Sequence, residues 1–148
     1  MRVAIACDHA GYPLKKRIVE KLMEMNQVVI DLGTDSQLPV DFPDFAEKAG
    51  RAIQSGEADR AVVVCGSGVG ASIAANKLKK VYAGLCHDTY SAHQGVEHDK
   101  MNTLCLGARV IGEELAVEIV EAFINAEFID DDRFVRRTNK IKRLEEIG

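Results

Sequence analysis

Cys65-Gly66-Ser67-Gly68-Val69-Gly70 is the stretch of the chain whose residue types most directly suggest chemistry. It follows Ala61-Val62-Val63-Val64, a β-branched run that reads as a buried parallel strand. It precedes Ala71-Ser72-Ile73-Ala74-Ala75, which suits a helix. A strand, a glycine turn and a helix start together make an anion site. Glycine lets the backbone come close to a ligand, and the first N–H groups of a helix have no partners. A thiol at the last strand position would feel the positive end of the helix dipole, which favours its thiolate. Cys65 could then act as a general base or a nucleophile, with developing charge held by the N–H groups of residues 66–70. The alternative for the same residues is a tight turn around a buried, inert cysteine.

Other glycine-loop chemistries fit less well. A nucleotide phosphate loop ends in Gly-Lys-Ser/Thr, whereas this one ends Gly70-Ala71-Ser72. A dinucleotide fingerprint belongs after the first strand, where Cys7-Asp8-His9-Ala10-Gly11 stands. A cysteine phosphatase loop needs an arginine where this chain has Ala71, which argues against cysteine-based phosphoryl transfer.

Further candidates are Asp8 and His9, His87 and Asp88, His98 and Arg109. A histidine such as His98 can titrate near neutrality and move protons; it can equally be a solvated helix-end residue. His9, His87 and Asp88 are of metal-ligating type, but without ligand spacing, so no metal is expected. Near the C-terminus, Arg133 and Arg137 are four apart in a basic run and share one helix face. Two guanidinium groups on one face suit a phosphate, unless the run is simply a solvated face.

These residues need a scaffold, and the apolar pattern supplies one. Strands are expected at 3–7, 28–33, 61–65, 81–86 and 103–106. Helices are expected from Pro13 to about Asn26, through Phe45, Ala49, Ala52 and Ile53 to Ser55, from Ala71, over 89–97, over 113–123, and from about Phe134 to Ile147. Residues 34–43, with two prolines, read as a loop, and Asp130-Asp131-Asp132 as a break. Alternating strands and helices imply an α/β fold. Its form is a three-layer α/β/α sandwich with a five-stranded parallel sheet, Rossmann-like. In such sheets ligands bind at the carboxyl ends of the strands, where Asp8, His9, Cys65, His87, Asp88 and Arg109 fall.

The chain has 148 residues, enough for one domain and too few for two ordinary ones. A net charge of −4 gives no general attraction to nucleic acid or anionic membrane. No signal peptide or membrane-length apolar run is seen. Four cysteines without Cys-x-x-Cys spacing disfavour zinc and disulfide frameworks and suit a reducing cytoplasm.

The chain also resembles the ribose-5-phosphate isomerase B family, which includes galactose-6-phosphate isomerase subunits. The resemblance rests on Asp8-His9-Ala10-Gly11-Tyr12 with Leu14-Lys15, Asp41-Phe42-Pro43, and Cys65 through Gly70 with Ile73-Ala74-Ala75-Asn76-Lys77. It continues through His98, Asn102, Gly107-Ala108-Arg109-Val110-Ile111-Gly112, and Arg133 with Arg137. It implies cofactor-free aldose–ketose isomerisation of a phosphosugar through an enediolate, with ribose 5-phosphate to ribulose 5-phosphate as the leading reaction.

By that resemblance Cys65 is the base, and the loop of Gly66, Ser67, Gly68, Val69 and Gly70 holds the enediolate oxygens. His98 opens the sugar ring. His9, Arg133 and Arg137 hold the phosphate, with Arg109 beside them, and Asp8 touches sugar hydroxyls. Family members are homodimers or homotetramers with shared sites, so the helix from about 134 is expected to reach a partner subunit.

Departures from the family pattern are Asp99, at a substrate-binding position where the resemblance implies an asparagine touching the sugar, Lys100 and Met101 after it, Phe134 where histidine is frequent, and Ser67 for threonine. Ala71 stands where one branch has a glutamate base. The 99–101 segment leaves erythrose 4-phosphate, allose 6-phosphate and galactose 6-phosphate as alternative substrates. A non-catalytic phosphosugar-binding module is the alternative from another functional class.

Overall fold

The computed structural model describes all of residues 1–148. Five strands, β1 (Arg2–Cys7), β2 (Val28–Asp31), β3 (Arg60–Cys65), β4 (Ala83–Leu85) and β5 (Thr103–Gly107), form one sheet. Every neighbouring pair is parallel, in the order β2-β1-β3-β5-β4. Six helices alternate with and follow the strands: α1 (Tyr12–Glu24), α2 (Phe42–Ser55), α3 (Val69–Ala75), α4 (Thr89–Asp99), α5 (Glu113–Asn125) and α6 (Asp132–Ile147). This is the expected Rossmann-like α/β sandwich.

Strand alternation divides the interior in two. Val3, Ile5, Cys7, Val62 and Val64 face a core shared with α1, α4 and α5, centred on Ile18, Leu22, Ile119 and Phe123. Ala4, Ala6, Val63, Cys65 and Cys105 face a second core shared with α2 and α3. Nine of the 13 residues in that second core are alanine, so α2 and α3 lie close to the sheet. The chain moves from β1 outward to β2, then crosses to β3 on the other side. The crevice for a ligand therefore opens at the carboxyl ends of β1 and β3, beyond Cys7 and Cys65.

Several boundaries differ from the sequence expectation, each for a local reason. The edge strand β4 is limited to Ala83–Leu85 rather than 81–86. Side chains replace its ladder: Asn76 Oδ1 accepts the Ala83 N–H at 2.8 Å, and Asn102 Oδ1 accepts the Tyr82 N–H at 2.9 Å. Helix α2 begins at Phe42, with Pro43 in its first turn where a missing N–H costs nothing. Helix α6 begins at Asp132 because Asp131 caps it, its carboxylate accepting the Arg133 N–H at 2.9 Å. Gly95 sits inside α4 because Met101 occupies the space a side chain would need, its Sδ 3.0 Å from where a Cβ would stand.

Candidate active site

Asp8, His9, Cys65, Gly66, Ser67, Gly70 and Arg109 line one cleft of about 400 Å³ at the crevice predicted by the topology. Ala10, Phe42 and Val110 complete its wall. Asp8 is buried and follows β1; its Oδ1 accepts the Gly11 N–H at 2.9 Å, which holds the turn into α1. A Cβ at Gly11 would collide with the Val64 carbonyl, so only glycine lets this turn lie against β3. His9 accepts the Val40 N–H on Nδ1 at 3.1 Å. A neutral His9 ring therefore carries its proton on Nε2.

The glycine loop is held from below and from the side. The Gly68 N–H donates to Cys65 Sγ at 3.2 Å, and the Val69 N–H donates to Ser67 Oγ at 3.2 Å. Gly68 has φ +80°, and a Cβ there would lie 2.9 Å from the Leu106 carbonyl carbon. Beside it, the Ala108 and Arg109 N–H groups donate to the Cys65 and Gly66 carbonyls at 2.9 and 3.0 Å. The segment after β5 is thus zipped to the segment after β3, and that sets Arg109 over the loop. Val69 itself is exposed, and it opens α3 instead of touching the cleft.

The four cysteines are free and buried, yet they differ in kind. Burial pushes the Cys7 and Cys86 thiols up to about 11. Burial pushes Cys105 up further, with the neighbouring Cys65 adding to it. Cys65 alone among the four lines the cleft and accepts a backbone N–H on sulfur. A thiolate there has a donor already aimed at it.

The remaining candidates lie elsewhere. α4 leaves the carboxyl end of β4 and its eleven residues run ~16 Å back along the sheet, so His98 emerges near the start of β5. His98 is therefore at the edge of the sheet opposite Cys65. The Gln94 amide nitrogen lies 2.9 Å from His98 Nδ1, and the His98 ring stacks on Phe134 at 4.0 Å between centroids. The Arg133 guanidinium is 5.1 Å from the same Phe134 ring, and its Nε donates to Asp131 at 3.0 Å. That bond holds the Asp131 carboxyl below the usual carboxylate range, with the Arg133 backbone N–H adding to it.

Arg137 is exposed one helical turn further along α6. The segment before α6 is tied to the same edge: Ile129 N–H donates to the Glu97 carbonyl at 2.9 Å, and Arg60 donates to the Phe123 and Ile124 carbonyls of α5 and to that of Ala126 just after it, the last at 2.7 Å.

Some residues that sequence reasoning grouped with the site have structural work instead. His87 Nε2 accepts the Gly107 N–H at 3.0 Å, and Asp88 caps α4 through the Ser91 N–H at 2.6 Å. Met101 is buried and Lys100 turns the chain out of α4 with φ +57°, which leaves Asp99 and Lys100 as the exposed members of that segment. Phe42 and Val110 were not among the expected site residues. Their signal was present, since both stand inside the motif pieces Asp41-Phe42-Pro43 and Arg109-Val110-Ile111.

Known proteins match this sequence and fold over most of the chain. Residues 3–141 match the family described as Ribose/Galactose Isomerase. The chain is 40% identical over 145 residues to ribose-5-phosphate isomerase B of Escherichia coli, covering 98% of this chain and 97% of that one. It is 39% identical over 130 residues to D-erythrulose-4-phosphate isomerase of Pectobacterium atrosepticum, covering 86% and 85%. The solved structure of Clostridium thermocellum ribose-5-phosphate isomerase B superposes with a TM-score of 0.96 at 43% identity, covering 99% of each chain.

Proposed function

The chain belongs to the ribose/galactose isomerase family and is a sugar-phosphate isomerase; on that premise we propose that it interconverts ribose 5-phosphate and ribulose 5-phosphate with Cys65 as the base. The observation that carries this reading is the placement of Cys65 Sγ. It accepts the Gly68 N–H and lines the same cleft as Gly66, Ser67, Gly70, Asp8, His9 and Arg109. A base, donors for a developing oxyanion and cationic groups for a phosphate are what proton abstraction beside a carbonyl requires.

In the forward reaction the Cys65 thiolate takes the proton from C2 of the open-chain aldose. The C2–H bond breaks, an S–H bond forms, and the electron pair moves to O1 as an enediolate. Loop N–H groups and the Ser67 hydroxyl, whose oxygen already accepts from Val69, stabilise that oxygen. The O2 proton passes to O1, and Cys65 returns its proton to C1 as the ketone forms at C2. Asp8 accepts from sugar hydroxyls, while His9 Nε2–H and Arg109 face the phosphate.

Ring opening and the rest of the phosphate clamp come from a second copy. His98, Arg133 and Arg137 stand at the opposite edge of the sheet and cannot reach the Cys65 cleft of their own chain. We assign them to the cleft of a partner subunit, in a homodimer or homotetramer acting in the cytoplasm.

The test is turnover of ribose 5-phosphate, erythrose 4-phosphate, allose 6-phosphate and galactose 6-phosphate by the wild type and by Cys65→Ala. Ribose 5-phosphate is expected to have the highest kcat/KM, and the variant to be inactive with an unchanged melting temperature. The relative acting on D-erythrulose 4-phosphate makes a tetrose phosphate the specific second reading. A higher kcat/KM for erythrose 4-phosphate would establish it. Full activity in Cys65→Ala would overturn the cysteine mechanism.

A further inference from the structure

The buried lysine of α1 lies outside the chemistry above. The Lys15 side chain is 8% exposed, and its ammonium contacts three oxygens from the end of β2 and the segment that follows it. These are Asp31 Oδ1 at 3.1 Å, the Thr34 carbonyl at 2.7 Å and Asp35 Oδ1 at 3.4 Å. The same Asp31 Oδ1 accepts the Gly33 N–H at 2.9 Å. Around this knot the backbone is laced to the end of β1: Cys7 N–H to the Gly33 carbonyl at 2.7 Å, and Thr34 N–H to the Cys7 carbonyl at 2.8 Å. Three oxygens on one ammonium use all three of its donors, so the lysine is fully committed to this segment. Burial by itself would lower the Lys15 pKa; the Asp31 bond and charge outweigh it and raise it.

What this segment leads to is the cleft. A few residues on, the Val40 N–H donates to His9 Nδ1 at 3.1 Å. Two residues after that, Phe42 stands on the cleft wall with its ring against Gly70, 2.6 Å from where a Cβ would be. The segment therefore begins at Lys15 and ends on two walls of the cleft. We propose that Lys15 is a positioning residue: by pinning residues 31–35 it places the Val40 N–H on His9, and so fixes His9 as the Nε2–H tautomer that faces the substrate's phosphate. The phosphate role of His9 rests on the isomerase reading above; the placement of His9 does not.

Two variants test this, with Lys15→Arg as the conservative control. Lys15→Met removes the ammonium and leaves Asp31 and Asp35 without it. Asp31→Asn loosens the same knot while Lys15 stays, and it serves if Lys15→Met does not fold. The first readout is the ¹⁵N shift pattern of the His9 ring at a pH where it is neutral. Wild type and Lys15→Arg are expected to show the Nε2–H tautomer, and Lys15→Met and Asp31→Asn a mixture of the two.

The second readout is steady-state kinetics with ribose 5-phosphate, alongside binding of inorganic phosphate. KM and the phosphate dissociation constant are expected to rise by about tenfold in Lys15→Met, the size of losing one hydrogen bond to a charged group, with kcat little changed. A variant that folds with unaltered His9 shifts and unaltered KM overturns the proposal. If His9 shifts while the wild type turns over no sugar phosphate, the positioning stands and the isomerase assignment of the cleft falls.

Discussion

At the carboxyl edge of the sheet, most polar groups around the Cys65 cleft are backbone N–H groups and short side chains tied to one another, with the Arg109 side chain beside Gly66. Gly68 is bonded to Cys65, Val69 to Ser67, Val40 to His9, Gly11 to Asp8, and Arg109 to Gly66 through its own N–H. At the opposite edge the candidate groups are long side chains on helix surfaces. His98 is steadied by Gln94 and Phe134, Arg133 by Asp131, and Arg137 stands in solvent. The first arrangement is preorganised, so it can meet developing charge without rearrangement. The second leaves its cations on exposed side chains, which would suit the phosphate clamp proposed for a partner subunit.

The sharpest way to break this contrast is to remove one group from each edge. Cys65→Ala and His98→Asn should each lower kcat by about 10²–10⁴-fold, the usual share of a positioned acid or base, with little change in melting temperature. Mixed and reassembled, the two inactive variants should recover about a quarter of wild-type activity. In a two-fold dimer, half the assemblies are hybrids, and each hybrid has one intact site. No recovery in hybrids of proven composition would place both residues in the same chain's site.

Arg137→Ala should act next most strongly. KM for the phosphosugar should rise by about tenfold or more, with kcat less affected, as for a lost charge-assisted bond. Raised salt should weaken wild-type binding and narrow the gap between the two proteins.

Gly68→Ala probes the preorganised edge. A side chain at φ +80° that must also displace Leu85, 2.6 Å away, should cost about 1–3 kcal/mol of stability. Chemical denaturation would measure it, and kcat should fall as the N–H leaves Cys65 Sγ.

The smallest effect concerns the cap of the exposed edge. Asp131 is held below the ordinary carboxylate value of 3.8 by the Arg133 side chain and backbone N–H. A carboxylate lowered in this way stabilises the fold above 3.8 and loses that contribution as pH falls through its folded value. Acid melts of wild type and Asp131→Asn should therefore converge at low pH, and differ slightly near neutrality.

Legibility in the sequence followed how local each cause was. β1, β3 and β5 were plain, because central parallel strands need continuous apolar runs such as Val62-Val63-Val64. β4 was read too long, because Val81 is buried outside the ladder, Cys86 joins β5 only through its N–H to the Cys105 carbonyl at 3.3 Å, and Asn76 and Asn102 take over its edge. His87 and Asp88 looked like site residues from their position after a strand. Their roles as a tether to Gly107 and a helix cap depend on neighbours that no spacing rule encodes. Lys15 stood inside a matched motif, yet its contacts lie 16 to 20 residues away in sequence.

By itself the sequence determined the layered α/β class, the base candidate and the glycine loop, because strand, turn and helix start are written in consecutive residues. Tertiary structure decided which candidates share a cleft. The crossover from β2 to β3 set β3 beside β1 and so placed Asp8 and His9 beside Cys65, and the zipper after β5 brought Arg109 to them. The return path of α4 carried His98 to the far edge with Arg133 and Arg137. Distance across a sheet is set by strand order and helix direction, and neither is encoded in the spacing of residues along the chain.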